Sequence, residues 1–402
     1  MKFAILGIDE LTWKLGRDIA ASESHQLVWL GSGTPGPQSR PEWIGRKTVF
    51  AEPGDWFASL VGVEADAVVL AREADARGLL DTLRQLAAFP WTIFLSHPIN
   101  LSVITSFEIE RIREDASGRI YPLLPDRWHP AMQYFVQCVG SEDPDVLGLL
   151  GAVERIEMER RVADPASESL LAYFARDIDL VGILAGKLRE VSGMAAGKNR
   201  LPLNVQLSGN SGVLARWSAL PAEGNSPPPP FDAELKVFGS HGEASLSMSE
   251  GGPWQVEASQ RQRVFEPVSL ADACLQQSEP CNRSHGVWGD WLEIIHSLEV
   301  TEALEKSLRR GRLVRINLEG RDESTAFKGT MVSLGCALLM GGTFLLVVSA
   351  VVLKLAQASG LTRLATIFEK VPAVLAVVLI FFLALQGLRY LIPATQGTDR
   401  GE

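Results

Sequence analysis

Few residues in this chain have the type and spacing to do chemistry, and the first of them ends a strand. Residues 90–100 read PWTIFLSHPIN. The apolar run Trp91 to Leu95 has the length of a buried strand, and Ser96-His97-Pro98 stops it. In α/β proteins ligands gather at the carboxyl ends of parallel strands. His97 is therefore a candidate general base near neutral pH; the other reading is a polar loop residue. Gly7 at the end of the first apolar run is followed by Asp9 and Glu10. Acids in a first helical turn complement the helix dipole. His129, in Trp128-His129-Pro130, either borders a cleft or packs in a loop. His241 and His285 have no partner at ligand spacing, and the four cysteines (138, 274, 281, 336) form no C-x-x-C pair, so neither a metal site nor a disulfide framework is expected.

The elements that must hold these residues alternate. KFAILG, HQLVWLG, ADAVVLA and WTIFLS read as short buried strands, and ELTWKLGRDIAAS and DARGLLDTLRQLAAF as helices between them. That is the βαβ pattern of a parallel sheet, and residues 1–125 are expected to form a Rossmann-type, dinucleotide-binding domain. From residue 126 to 326 the texture becomes α+β. LPLNVQL and VLARWSAL turn at Gly209–Gly212, AELKVFG and EASLSMS turn at Gly239–Gly242, and helices are expected near 167–187 and 288–309. The alternation predicts a mainly antiparallel sheet with one covered face.

Residues 327–402 are expected to form a transmembrane hairpin. Residues 329–353 carry no charge, and neither do 371–388, the apolar part of a second span over about 371–391. At 1.5 Å per residue each is about long enough for a bilayer core of roughly 30 Å. Arg309, Arg310, Arg312, Arg315, Arg321 and Lys328 precede the first span and Arg389 and Arg400 lie at or beyond the end of the second, against Lys354, Arg363 and Lys370 between them, a bias that places the head and the C-terminus in the cytoplasm. No signal peptide is recognised at Met1. Net charge is −10, with −12 on residues 1–328 and +2 on the remainder. So acidic a head argues against nucleic acid as a partner. The expected partner is the lipid bilayer.

The order of these stretches resembles the Gfo/Idh/MocA oxidoreductases over about residues 1–325. The resemblance is carried by KFAILGIDELT, ADAVVLA, IFLSHP, DRWHPAMQYF, GLLGAVERIEM and LLAYFARDIDLVGILAG. It implies a Rossmann domain, an antiparallel α/β domain, NAD or NADP as cofactor, a sugar or polyol substrate, and a homodimer through the second sheet. Residue by residue, it assigns cofactor contacts to Gly7, Asp9 and Pro98 and places His97 where the family has a catalytic lysine. Asp179 and Gly186 fall in register with the family's G-x-H-x-x-D helix and its trailing glycine.

The departures are extensive. Of the family's G-x-G-x-x-G only Gly7 remains, with Asp9 and Thr12 at the other two positions. The second strand ends Leu30-Gly31-Ser32 without a ribose-binding acid. The family's catalytic Asp and His correspond to Ala172 and Arg176; alanine does no acid–base work and arginine stays protonated. The expected function is a membrane-anchored, catalytically degenerate binding or scaffolding module. The alternative is a divergent NAD(P)-dependent oxidoreductase with His97 as base and Arg176 holding an anionic substrate. A third reading puts the function in the hairpin; its apolar stretches hold no ionisable group, which argues against transport.

Overall fold

A computed structural model describes residues 1–31, 45, 48–51, 56–72, 76–140, 150–162, 166–196, 201–209, 212–222, 232–258, 261–278, 291–316 and 340–355, with positions 358, 359, 370, 372, 373 and 375. Residues 1–317 form one compact unit and 318–402 another. In chain order the first unit opens with β1 (Lys2–Leu6), α1 (Glu10–Ala21), β2 (Gln26–Gly31), β3 (Val49–Ala51) and α2 (Trp56–Val61). It continues with β4 (Ala67–Leu70), α3 (Ala76–Ala87), β5 (Thr92–Ser96), α4 (Val103–Asp115) and β6 (Arg119–Leu123). All six strands pair in parallel in the order β3-β2-β1-β4-β5-β6. This doubly wound order is the expected Rossmann arrangement. Both faces of β1, β4 and β5 are covered, which is why these strands read as unbroken apolar runs.

Two short helices, α5 (Pro125–Trp128) and α6 (Pro130–Gly140), lead to β7 (Val153–Val162) and α7 (Ser167–Ala185). Then come β8 (Leu188–Ala195), β9 (Leu203–Gly209), β10 (Leu214–Pro221), β11 (Ala233–Gly239), β12 (Gly242–Met248), β13 (Trp254–Ala258) and β14 (Arg261–Phe265). The unit closes with α8 (Leu270–Ser278), α9 (Trp291–Arg310) and β15 (Val314–Arg315). The second sheet has nine strands in the order β14-β13-β12-β11-β7-β10-β9-β8-β15. It is mixed: β7 and β10 run parallel at its centre and every other neighbour pair is antiparallel. Both expected hairpins are present, β9–β10 and β11–β12.

Alternation along β7 decides what the covered face contains. Ile156, Met158 and Val162 are buried against Phe174, Ile178 and Val181 of α7. Arg160 shares their phase and so carries a guanidinium into the core. Asp177 of α7, fully buried, accepts from Arg160 Nε at 2.6 Å and from Trp217 Nε1 at 2.7 Å. Phe174 meets the Trp217 ring edge-on at 5.1 Å. Charge and apolar packing thus lock α7 to the two central strands together.

The expected spans lie mostly outside the described residues. Of the first, 340–355 is helical; of the second, 372, 373 and 375 are described and helical. Among the described residues no helix is long and apolar enough to cross a membrane. The side chains of Met340, Phe344 and Leu355 on this stretch are each more than 60% exposed.

Truncating Asp177 to Ala leaves a buried guanidinium and an indole N–H without an acceptor. We expect a loss of roughly 3–5 kcal/mol in urea unfolding, partly recovered when Arg160 is also changed to Met.

Candidate functional site

The turn after β1 must let the chain pass close to β4. Gly7 adopts φ +83°, and a Cβ there would lie 2.8 Å from the Cβ of Ala71. Its N–H donates to Gly31 O at 2.9 Å. Asp9 then caps α1. Its Oδ1 accepts from Thr12 N–H at 2.7 Å, and Thr12 Oγ1 accepts from Asp9 N–H at 2.8 Å. The other carboxylate oxygen accepts from the backbone N–H of Arg72, past the end of β4, at 2.7 Å. Asp9 therefore ties together the two backbone segments that border the crevice of the parallel sheet.

His97 follows β5 and is 3% exposed. Arg176, on α7, donates from Nε to the His97 carbonyl at 3.0 Å. Burial pushes the imidazole pKa from 6.5 down to about 4; Asp179 opposes that shift and Arg176 adds to it. Nε2 of His97 has no hydrogen-bond partner among the described residues. A histidine this hard to protonate is neutral at pH 7 and a weak general base, since such bases work best with a pKa near the working pH.

His97 and Arg176 line one cavity of about 140 Å³ together with Glu10, Arg127, Tyr173 and Asp179. Arg127 and Asp179 form a buried pair at 2.5 Å, and Glu293 accepts from Arg127 Nη1 at 2.8 Å. Burial works against the Arg127 charge, but the two carboxylates outweigh it and raise its pKa. Glu10 approaches Arg176 at 3.9 Å and Tyr173 Oη at 3.4 Å. Arg72 pairs with Glu168 at 2.8 Å, and Lys14 pairs with Glu250. These four contacts run from the parallel-sheet layer to α7 and to the turn after β12. Asp126 has no ion pair or hydrogen bond among the described residues; burial raises its pKa while Arg160 and Arg176 oppose.

The structure thus brings two of the sequence candidates, His97 and Arg176, to one cavity. Gly7, Asp9 and Pro98 lie at the neighbouring strand ends and do not line it. Pro98 follows a cis peptide bond after His97. Sequence reasoning missed Arg127, Arg160, Tyr173 and Asp126 as cavity residues. A signal existed for one of them, because Arg160 sits in phase with Ile156 and Met158, where an arginine needs a buried partner.

No protein-family model matches the sequence, and no curated protein does. Solved structures do match in shape. The scyllo-inositol dehydrogenase of Lactobacillus casei, solved with NAD(H) and scyllo-inositol, aligns with a TM-score of 0.57 at 13% identity, covering 79% of this chain and 99% of that one. A myo-inositol dehydrogenase of Corynebacterium glutamicum gives 0.56 at 16% identity over 79% and 99%. The aldose-aldose oxidoreductase of Caulobacter crescentus, complexed with glycerol, gives 0.58 at 17% over 78% and 99%. Residues 1–317 have the Gfo/Idh/MocA fold. At these identities the likeness establishes architecture.

That fold implies a nicotinamide dinucleotide, and the residues present do not fit one. The pyrophosphate of such a cofactor sits on the N-terminal amides of the first helix. Here the Thr12 amide of that helix and the Arg72 amide past β4 already donate to Asp9, which puts a carboxylate at this helix N-terminus. A second anion 4 Å away is opposed by about 1 kcal/mol in water and about 4 kcal/mol at an effective dielectric of 20. β2 ends at Gly31 without a carboxylate for a ribose. The cavity that His97 and Arg176 line, about 140 Å³, is by itself below the roughly 300 Å³ at which small-molecule sites begin.

The histidines give a pH prediction. His97 and His129 both have folded pKa values near 4, lowered by burial from 6.5. Below pH 6.5 the unfolded chain takes up these protons first, so stability falls as pH falls and the loss is complete near pH 4. Between pH 7 and pH 5 each contributes a loss of about 2 kcal/mol. Urea midpoints measured across that range should flatten in His97→Gln and His129→Gln; an unchanged slope in both would refute the assignment.

Proposed function

We propose that the head is a binding module of Gfo/Idh/MocA fold that does not carry a dinucleotide and does not transfer hydride. The observation that carries this reading is the Asp9 carboxylate at the N-terminus of α1, held by the Thr12 and Arg72 amides where a pyrophosphate would need to sit. Three further features agree. The cleft is bridged by Glu10–Arg176, Arg72–Glu168 and Lys14–Glu250. His97 is neutral and buried. Ala172 and Arg176 stand where the resemblance puts the acid–base pair.

A second reading keeps the enzyme: an NAD(P)-dependent oxidoreductase acting on a sugar or polyol. It is favoured by the shape shared with the NAD(H)-bound scyllo-inositol dehydrogenase and by the unpaired Nε2 of His97 at the end of β5. Titrating the full chain with NADH and NADPH, read by nicotinamide fluorescence, separates the two. The binding-module reading expects no saturation up to about 1 mM, a free energy weaker than about 4 kcal/mol. Micromolar saturable binding overturns it and makes loss of turnover in His97→Ala the next expectation.

Anchoring in a bilayer belongs to the same proposal. Its support is the charge-free run 329–353 and the exposed apolar side chains of 340–355. The full chain is expected to float with liposomes through a density gradient and to resist carbonate extraction. A chain ending at residue 317 is expected to remain in the dense fractions, and flotation of both would disprove anchoring by this segment.

A further inference from the structure

A larger cavity, of about 580 Å³, adjoins the one already described. Lys14, Asp126, Glu250 and Trp254 line both, so the two chambers share a wall. The outer chamber has its own residues from α1, from the α5–α6 junction and from the turn between β12 and β13. Its volume lies within the range of small-molecule sites.

Two polar groups there have no partner among the described residues, and a third is a carboxylate without a hydrogen bond. Arg17, on the exposed side of α1, makes no ion pair or hydrogen bond among the described residues, and no carboxylate of its own helix neutralises it: Asp18 accepts from Leu270 N–H at 2.8 Å, and Glu10 faces Arg176 and Tyr173. His129 is 7% exposed. Its Nδ1 accepts from Ala131 N–H at 3.2 Å, which fixes the ring proton on Nε2. The ring stacks on Trp254 at 4.0 Å, and Trp254 is held in turn by a bond from its Nε1 to Ser249 O at 3.1 Å. Nε2–H is thus a rigidly placed donor, and it has no acceptor among the described residues. Buried donors are ordinarily satisfied by protein, water or ligand. Asp126 is the third group, a carboxylate on the wall between the chambers; it makes no hydrogen bond among the described residues and lies in the field of Arg160 and Arg176.

A cation, a neutral N–H donor and a carboxylate ask for complementary chemistry. The cation wants an anion, the N–H wants an oxygen, and the carboxylate wants a hydroxyl or amino donor. We propose that the outer chamber binds a hydroxylated organic anion, with its carboxylate or phosphate ester on Arg17, an oxygen on His129 Nε2–H and a hydroxyl on Asp126. The site stands apart from the turn that Asp9 caps, so it does not depend on whether a dinucleotide binds.

The test is calorimetric titration of the full chain with D-gluconate and D-glucose 6-phosphate, with D-glucose and inorganic phosphate as controls. At least one of the two probes should bind below about 1 mM, and each control at least about tenfold more weakly, because neither carries all three complements. Arg17→Gln, on an exposed helix position, and His129→Phe, which keeps the stack on Trp254 and removes the donor, should each weaken the probe by about tenfold or more. Tyr173→Phe, which changes only the inner cavity, should leave it within about twofold. Circular dichroism and the thermal midpoint establish that each variant is folded, and His129→Gln replaces His129→Phe if the latter is not. The proposal is overturned by the absence of saturable binding of both probes, by binding that ignores Arg17 and His129, or by binding lost through Tyr173 instead. Competition by NADH would place the probe at the inner site and overturn it as well, leaving the reading of the dinucleotide turn to its own titration.

Discussion

Arg127 and Asp179 are each almost wholly buried and form two short hydrogen bonds to one another. Arg127 comes from the short helix that joins the two sheets, and Asp179 from the helix that covers the second. Glu293, at the start of α9, takes the remaining guanidinium edge. Three elements far apart in sequence are therefore fixed by one cation. Removing two charges from water costs several kcal/mol per ion, so such a pair is weak evidence for net stability. What it does impose is geometry. With either partner gone the other is an unpaired charge in the core, so the junction, α7 and α9 tolerate one relative placement. That placement brings Arg176 against the His97 carbonyl and Glu168 against Arg72. The narrowness of the inner cavity follows from it.

The same logic governs the crevice of the parallel sheet. A helix N-terminus with free amides attracts anions. In this chain the anion is built in: Asp9 is tethered to the amide it satisfies, and its second oxygen reaches the Arg72 amide on the neighbouring strand connection. Capping by an acid is ordinary for a helix, and here it stabilises α1 while placing negative charge on the phosphate position. One residue thus links a local folding requirement to a functional consequence.

Much of the architecture was legible. Alternating short apolar runs gave β1, β2, β4 and β5 because these strands are buried on both faces. The hairpins at Gly209–Gly212 and Gly239–Gly242 were legible from turn glycines between alternating runs. β3 and β6 were not: β3 has three residues, and β6 reads RIYPL, whose proline argues against a strand interior. The parallel pairing of β7 with β10 was also hidden, since strand order is decided by which helices cover which face and not by any local pattern. In the site, His97 and Arg176 were found through their alignment to a known arrangement. Arg127, Asp126 and Tyr173 were not found, because each acquires its role only when α5 and α7 meet.

A fold built to hold a dinucleotide normally leaves its charges unpaired where the ligand will supply the partner. In this chain the charges facing the inner crevice have found one another: Asp9 with backbone amides, Glu10 near Arg176, Arg72 with Glu168, Arg127 with Asp179 and Glu293. A new ligand there must displace existing partners before it gains anything, and each displaced buried charge costs more than a surface one. The outer chamber has the opposite character. Arg17 and His129 Nε2–H have no partner among the described residues and Asp126 makes no hydrogen bond there, so a ligand can satisfy these groups without displacing a hydrogen bond of theirs. Affinity accrues where polar groups are preorganised and unsatisfied, and by that criterion the binding capacity of the head lies in the outer chamber.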